Sequence, residues 1–284
     1  MKEQLHGLAE EASLEPIAVH GVTRRNIVQS TDEVWQEEIR RNGFAVIENA
    51  LTLEQSKTIG TLLDSLYEEQ VREIGGIEKL RKINDQNIVR SMLVYHEAFV
   101  HLANNPLLMP LVKRLLGDNI SLSSQVGILN CPTQKNYQEA WHRELQYQHF
   151  VCSKPLGIQI LYAIDAFTYS NGGTFFLPGS HLFEEFPSDA YVRANQVQIE
   201  APIGSAIVFD AMVYHRGASN HTAHIRRAVN NLYTLPIIQQ QIDFAKMLDG
   251  KYSDDPELHK LFGYRWRPAD DVKEWRERHL KAKH

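Results

Sequence analysis

A histidine and a glutamate separated by one residue form the strongest candidate for chemistry in this sequence. His142 and Glu144 lie in the segment Trp141-His-Arg-Glu144, directly after a polar stretch over 131–140. If this segment is extended, both side chains point to the same face, because alternate residues of a strand do so. An imidazole and a carboxylate on one face could bind a common metal ion, and a facial triad for iron then needs one further histidine.

That second histidine must come from a distant part of the chain. His215 is the candidate, since it follows the apolar run Ala206-Ile-Val-Phe209 and the segment Met212-Val-Tyr214. The segment between His142 and His215 is long enough to form several strands. The triplet His-X-Glu is common by chance, so a partly buried histidine that is hydrogen-bonded to a neighbour stays the alternative for His142.

An arginine downstream adds a second feature to the candidate site. Arg226 stands eleven residues after His215, on the run that the pattern predicts as the last strand. A guanidinium can grip a carboxylate through two hydrogen bonds, so an arginine near a metal suits the second carboxylate of a bound dicarboxylic acid. A surface arginine is the alternative, and Arg227 is a competitor, because alternation lets only one of the two face inwards. The spacing from His215 favours Arg226.

The elements before residue 118 are predicted to be mainly helical. Ser30 with Glu33 and Thr52 with Gln55 fit capping boxes, which predict the starts of two helices. Apolar residues at helical spacing predict a third helix, which a glycine ends. The predicted helices cover about 31–42, 53–67 and 107–116, with a short strand over 44–47.

The second half of the chain has the pattern of a β protein. Between Asn119 and Asn130 the apolar residues share one parity, which predicts a strand with one buried face. Glycine- and proline-rich turns separate further strand-like runs, and about eight short strands of this kind favour a closed or double-sheet architecture such as a jelly roll. After Pro236 the pattern is helical again. The further runs cover 156–167, 174–177, 196–200, 205–209 and 228–235.

The chain is predicted to form one domain, because no internal repeat or break in composition divides it. We expect a mainly β fold with flanking helices, in four parts. These are an arm over 1–30, a mainly helical support over 31–117, a jelly-roll core over 118–235, and a C-terminal helix and tail over 236–284.

The composition excludes several classes of protein. Apolar residues make up 43% and charged residues 23%, which is typical of a globular chain with a core and not of a disordered one. The formal net charge of -5 provides no electrostatic footprint for nucleic acid or an anionic membrane. Two cysteines are too few for a disulfide framework, and no apolar run is long enough to span a bilayer. We therefore expect a cytoplasmic protein with a small-molecule partner.

Four motifs, in the right order over residues 40 to 235, resemble the phytanoyl-CoA dioxygenase family of iron(II)- and 2-oxoglutarate-dependent oxygenases. The block from Asn171 to His181 is the most specific of the four. The resemblance implies a double-stranded β-helix core, which is a jelly roll of the cupin type. The motifs are Asn42-Gly-Phe-Ala-Val-Ile47, Trp141-His-Arg-Glu144, Asn171-Gly-Gly-Thr-Phe-Phe-Leu-Pro-Gly-Ser-His181, and His215-Arg-Gly-Ala-Ser-Asn220 followed by Arg226.

The resemblance also implies a role for each matched residue. His142, Glu144 and His215 would be the iron(II) ligands. Arg226 would pair with the distal carboxylate of 2-oxoglutarate, with Thr174 as a further contact to this cosubstrate. The implied reaction uses O2 to hydroxylate, or otherwise oxidise, a C–H bond of a small molecule, and releases succinate and CO2. Glu144 departs from the aspartate that is usual in the family, but it can still bind iron through one oxygen.

Two residues are candidates for substrate contacts, Gln125 on the strand predicted over 119–130 and Tyr147 just after the ligand motif. Alternation from Ser124 and Val126 would turn Gln125 to the opposite face. An alternative function is a cupin-type metal-binding isomerase or lyase, or a ligand-binding barrel, that does not use 2-oxoglutarate. The response to replacement of Arg226 would distinguish the two functions.

Overall fold

The computed structural model describes residues 17–132, 137–145 and 149–281. The predicted substrate contact Tyr147 lies outside these residues. Short 3-10 turns cover Met92–Val94, Tyr137–Glu139 and Ser180–Leu182. The remaining elements, in chain order, are α1 (Thr31–Asn42), β1 (Phe44–Ile47), α2 (Leu53–Glu73), α3 (Ile77–Lys82), β2 (Ile88–Arg90), α4 (Glu97–Ala103), α5 (Met109–Leu116), β3 (Ser121–Asn130), β4 (Gly157–Ala163), β5 (Phe175–Phe176), α6 (Asp189–Asn195), β6 (Val197–Gln198), β7 (Ala206–Asp210), β8 (His215–Arg216), β9 (Arg226–Thr234), α7 (Phe244–Leu248), α8 (Pro256–Leu261) and α9 (Val272–Lys281).

Two antiparallel sheets form the centre of the fold. The larger has the strand order β1-β7-β4-β9-β3-β2, and the smaller has the order β6-β5-β8. One hydrophobic cluster contains side chains of both sheets, among them Phe176 of β5 and Leu161 and Phe209 of the larger sheet. The inner faces of the two sheets therefore pack on each other, as in a sandwich of antiparallel sheets.

Helices cover the outer face of the larger sheet. A second hydrophobic cluster joins Leu63 of α2, Phe99 of α4 and Leu111 of α5 to Leu122 of β3 and Ile160 of β4. For this reason β3 is buried on both faces, and the prediction of one buried face is wrong for this strand. The helical layer comes from distant sequence, so the local alternation could not reveal it.

Two tyrosines of the sheet hold the end of α4. The last carbonyls of a helix have no partner within the helix. Tyr162 donates its hydroxyl to Leu102 O at 2.8 Å, and Tyr233 donates to Ala103 O at 2.9 Å. Burial raises the pKa of both phenols, so they stay protonated donors. These bonds attach the helical layer to β4 and β9, which carry residues of the candidate site.

The structure contains some of the helix ends that the sequence predicts. The capping box of Thr52 and Gln55 is present with both hydrogen bonds, although α2 continues to Glu73. Ser30 precedes α1 without a side-chain cap, and the Glu33 carboxylate accepts from Gln29 N at 2.7 Å. The helical pattern directly after residue 236 gives only the short α7, and α8 and α9 lie in the part predicted as a tail. None of the helices within the described ranges is long and apolar enough to cross a membrane.

Candidate active site

The three predicted metal ligands converge at one point between the sheets. Ligand atoms of His142, Glu144 and His215 all lie within 4.8 Å of one another, and Glu144 Oε2 is 3.9 Å from His215 Nε2. His142 and His215 form an isolated antiparallel bridge, in which each backbone N–H donates to the other residue's carbonyl, at 3.0 and 3.1 Å. This bridge brings together the two segments that the sequence keeps far apart.

Backbone carbonyls fix both imidazole rings. His142 Nδ1 lies 2.9 Å from Ala140 O, and His215 Nδ1 lies 3.0 Å from Val213 O. Because a carbonyl oxygen only accepts hydrogen bonds, Nδ1 is the protonated nitrogen in each neutral ring. Each Nε2 is then left with a lone pair, which is the state in which histidine binds a metal.

His215 sits among aromatic rings. The ring of Phe176 stacks at 5.8 Å between centroids, and the ring of Phe209 meets it edge-on at 4.9 Å. Burial, together with the neighbouring His142, lowers the pKa of His215 to about 3. His215 is therefore neutral at physiological pH, as a metal ligand must be.

Glu144 is held at its backbone and at its carboxylate. Its N–H donates to Ala211 O at 2.9 Å, and Gln159 Nε2 donates to Oε2 at 3.1 Å. Asn230 Nδ2 in turn donates to Gln159 Oε1. The sequence analysis did not identify Gln159 or Asn230. The available signal was Gln159 itself, a polar residue in the otherwise apolar strand β4.

Arg226 lines the same cavity of about 240 Å³ as the three ligands, together with Thr174. Its side chain is 5% exposed, and its guanidinium carbon lies 4.1 Å from the ring centroid of Phe167. Arg226 Nε has no hydrogen-bond partner, and within the described ranges no carboxylate forms a salt bridge with the guanidinium. Burial lowers the pKa of Arg226 to about 10, so the group is still charged at neutral pH. The cavity thus contains a buried cation that has no salt-bridge partner among the described residues.

Arg227 faces the other way. Its guanidinium pairs with Asp64 at 2.7 Å and with Asp165 at 3.1 Å. These two carboxylates belong to α2 and to the chain after β4, on the outside of the larger sheet. The structure thus places Arg226, the arginine chosen from spacing, at the cavity and its neighbour Arg227 outside it.

The Asn171-Gly-Gly turn packs against Asn130 and Ala218, which line the cavity with Arg226. Asn130, which pairs with Arg226 across β3 and β9, donates from Nδ2 to Ala218 O at 3.0 Å. Gly172 has a positive φ of 83°, and a Cβ there would overlap the Ala218 carbonyl. The glycine is required because the turn passes this close to the chain after β8.

Arg143 anchors the ligand segment from between the two ligands. Its buried guanidinium donates to Ser180 O at 2.8 Å, to Glu184 O at 3.2 Å and to Phe183 O. It also lies 4.1 Å from the ring centroid of Tyr214. The sequence analysis named Arg143 only as part of a motif, and the structure shows that it ties the metal-ligand segment to the turn at 180–184.

Gln125 does not line the cavity. Its side chain is 1% exposed, with Oε1 accepting from Leu93 N at 2.8 Å and Nε2 donating to Phe99 O at 2.9 Å. These partners belong to the helical layer, on the face of β3 opposite to Val126. The expectation of a substrate contact at Gln125 is therefore corrected, because alternation turns this residue into the core.

Known sequences resemble this chain over much of its length. The family model described as phytanoyl-CoA dioxygenase (PhyH) matches residues 39–228. The uncharacterized protein Rv1501 of Mycobacterium tuberculosis is 28% identical over 256 residues, which cover 87% of this chain and 91% of that protein. The dioxygenase af480 of Aspergillus fumigatus is 28% identical over 167 residues, which cover 55% of this chain and 52% of that protein.

Solved structures show the same fold. The non-heme monooxygenase ThoJ in its apo form has a TM-score of 0.57 and 18% identity, over 73% of this chain and 79% of that one. SnoN, a non-heme alpha ketoglutarate dependent epimerase from nogalamycin biosynthesis, has a TM-score of 0.54 and 16% identity, over 72% of this chain and 82% of that one. The predicted fold class, a mainly β jelly roll with flanking helices, is confirmed.

Proposed function

The chain belongs to the phytanoyl-CoA dioxygenase family, and from this premise we propose that it is an iron(II)- and 2-oxoglutarate-dependent oxygenase of a small molecule. The family and the relative named as a dioxygenase identify an oxygenase-type enzyme. Beyond this class of enzyme, the proposal names iron(II) as the metal, 2-oxoglutarate as the cosubstrate and the oxidation of a C–H bond as the reaction. One 2-oxoglutarate, one O2 and one substrate C–H bond give succinate, CO2 and a C–OH group.

The donor set fits iron(II). Two imidazole nitrogens and one carboxylate on one side of an octahedral ion leave three adjacent positions open, which is the arrangement of non-heme iron oxygenases. His142 and His215 present Nε2, since their Nδ1 atoms are engaged by carbonyls. When bound, iron(II) supplies the redox chemistry with O2 that no amino-acid side chain provides.

The single observation that supports 2-oxoglutarate as the cosubstrate is the buried charge of Arg226. Burying a cation without a salt-bridge partner is costly, and this cation lies in the same cavity as the predicted metal ligands. The distal carboxylate of 2-oxoglutarate would be such a partner, bound through two parallel hydrogen bonds. The hydroxyl of Thr174, on the same wall, would donate a further hydrogen bond.

Part of the remaining wall is apolar. Val126, Ile128, Leu161 and Phe209 line the cavity beside polar side chains such as Gln138. Apolar walls exclude water and restrict the position of the substrate C–H bond relative to the metal. On this side of the cavity the protein's task is therefore placement and protection of the reactants.

Replacement of Arg226 tests the cosubstrate. We expect anaerobic addition of 2-oxoglutarate to the iron(II)-loaded protein to produce a visible charge-transfer band that saturates. In Arg226→Gln the affinity for 2-oxoglutarate should fall roughly 10- to 100-fold, because one charge-assisted pair is lost, while iron binding is retained.

The matched control is Arg227→Gln, which removes a neighbouring arginine that faces Asp64 and Asp165. It should leave the affinity for 2-oxoglutarate unchanged. An Arg226→Gln protein with wild-type affinity would contradict the proposal and favour a cupin-type enzyme or binding protein. A wild-type protein that binds iron without any 2-oxoglutarate band would do the same.

A further inference from the structure

We propose that Gln159 is a positioning residue that holds Glu144 as a one-oxygen metal ligand. This inference rests on the proposed function, because it requires a metal ion at His142, Glu144 and His215. It concerns the carboxylate position of the cluster, where Glu144 has one more methylene than an aspartate would have. The observation behind it is the contact between Gln159 and Glu144 in the interior of the fold.

Gln159 sits at a rigid place. It lies in β4, a central strand, and pairs with Phe209 of β7 on one side and with Leu232 of β9 on the other. Its side chain is 0% exposed. A buried amide costs free energy unless it is hydrogen-bonded. The hydrogen bonds of the Gln159 amide therefore stabilise its position in the folded protein.

The hydrogen bonds around Gln159 have only one possible direction. An ionised carboxylate only accepts, so the Gln159 amide nitrogen must face Glu144. The amide oxygen then faces Asn230, which donates from Nδ2. Asn230 thereby prevents the amide from rotating by half a turn, which would place an oxygen against the carboxylate. The two hydrogen bonds that link Asn230, Gln159 and Glu144 therefore fix the Gln159 amide nitrogen as a donor to the Glu144 carboxylate.

A glutamate ligand requires this support more than an aspartate does. Glu144 has one more rotatable bond between its backbone and its carboxylate, and its backbone anchor to Ala211 does not restrict that bond. A freely rotating carboxylate could bind the metal through both oxygens and occupy one of the three open positions. Gln159 donates to Oε2, the oxygen that lies 3.9 Å from His215 Nε2. It therefore fixes the oxygen that faces the histidine ligands, orients the carboxylate for binding through that single oxygen and keeps those positions open for 2-oxoglutarate and O2.

Cobalt(II) binding by Gln159→Met tests this inference without using activity. Methionine conserves the volume of the side chain and removes the amide donor. We expect the affinity for cobalt(II) to fall roughly 10- to 100-fold, the magnitude typical when the partner of a metal ligand is removed. The visible ligand-field spectrum of bound cobalt(II) should also change, because the carboxylate changes its binding mode.

Gln125→Met is the matched control, since Gln125 is also a buried glutamine of the larger sheet but bonds to the helical layer. It should lower the melting temperature and leave the cobalt(II) affinity and spectrum as in the wild type. Equal effects of the two substitutions on affinity and spectrum, or a Gln159→Met protein with wild-type values for both, would overturn the inference. The function proposed above would then stand if the wild type binds the metal and 2-oxoglutarate.

A double-mutant cycle with Glu144→Asp tests whether Gln159→Met lowers cobalt(II) affinity through Glu144 or through weaker packing of the core. The shorter aspartate withdraws the carboxylate from Gln159, so Gln159→Met should have little further effect on cobalt(II) affinity in this background. Independent effects that multiply in the double variant would overturn the inference. A wild-type protein that binds no cobalt(II) or iron(II) would overturn both this inference and the proposed function.

Discussion

His142, Glu144 and His215 are three polar side chains whose orientations are fixed by hydrogen bonds to neighbouring groups. Carbonyls orient both rings, and an amide orients the carboxylate. Such preorganisation means that a metal ion can bind without rearranging its ligands. The state of each ligand before the metal arrives is therefore a property of the protein that can be measured on the metal-free chain.

The low pKa of His215 predicts a pH dependence of stability in the metal-free protein. The folded-state pKa is about 3, below the unfolded value of about 6.5. The unfolded chain therefore takes up a proton first as the pH falls, and stability present above about pH 6.5 is lost between that pH and about 3.

Urea unfolding of wild type and His215→Phe, with a chelator present, measures this effect. The wild type should lose on the order of a few kcal/mol relative to the variant between pH 7.5 and pH 4.5. Asp210, whose pKa burial raises to about 6, changes stability in the opposite direction, but it is common to both proteins. A difference in stability that does not vary with pH would contradict the burial of a neutral His215.

Sequence patterns identify residues at the site when the pattern is local. Alternation is enough to state that only one of Arg226 and Arg227 faces inwards. Gln159 and Arg143 could not be predicted in the same way, because nothing in the spacing of a single glutamine or arginine connects it to Glu144 or to a turn 40 residues away. Their roles arise from contacts between segments that only the fold brings together.

At the level of elements, the turn at 180–184 supports the ligand segment through Arg143. The guanidinium donates to three backbone carbonyls of this turn, and the Tyr214 hydroxyl donates to one of them, Glu184 O, at 3.4 Å. We expect Arg143→Met to lower the free energy of unfolding by roughly 2–4 kcal/mol, because buried carbonyls lose charged donors. Thermal or urea unfolding measures this change.

Arg193→Met is the control for that substitution. Arg193 lies on α6 and forms an exposed pair with Asp189 at 3.7 Å, and exposed pairs contribute little to stability. Its replacement should change the free energy of unfolding by less than about 0.5 kcal/mol. If Arg143→Met were equally mild, the turn and the ligand segment would be stable without their link.

Local signals predicted the elements better than they predicted their burial. Glycine at the end of α1 and of α5, the capping box at Thr52 and the strand over 44–47 all depend on neighbouring residues, and the structure has them. The two buried faces of β3 and the short α7 depend on how distant segments pack. The residues near β3 and α7 in the sequence do not determine that packing.

For the whole molecule, the attachment of the helical layer to the larger sheet is a source of stability. Tyr233 and Tyr162 satisfy the last carbonyls of α4 from inside the core. Tyr233→Phe should lower the free energy of unfolding by roughly 1–3 kcal/mol, because a buried carbonyl loses its donor while the packing is conserved. Urea unfolding gives the value, and a change near zero would show that the Ala103 carbonyl finds another partner.

The central claim is that one metal ion binds to three side chains from distant parts of the chain. Anaerobic iron(II) titration of the wild type and of His142→Ala, Glu144→Ala, His215→Ala and His181→Gln tests it most directly. His181 is the control, since its Nε2 lies 3.2 Å from Arg40 O, away from the ligand cluster. The account predicts one iron(II) per chain in the wild type and in His181→Gln, and loss of that binding in each of the other three variants. Iron(II) binding that survives in those three variants would contradict it.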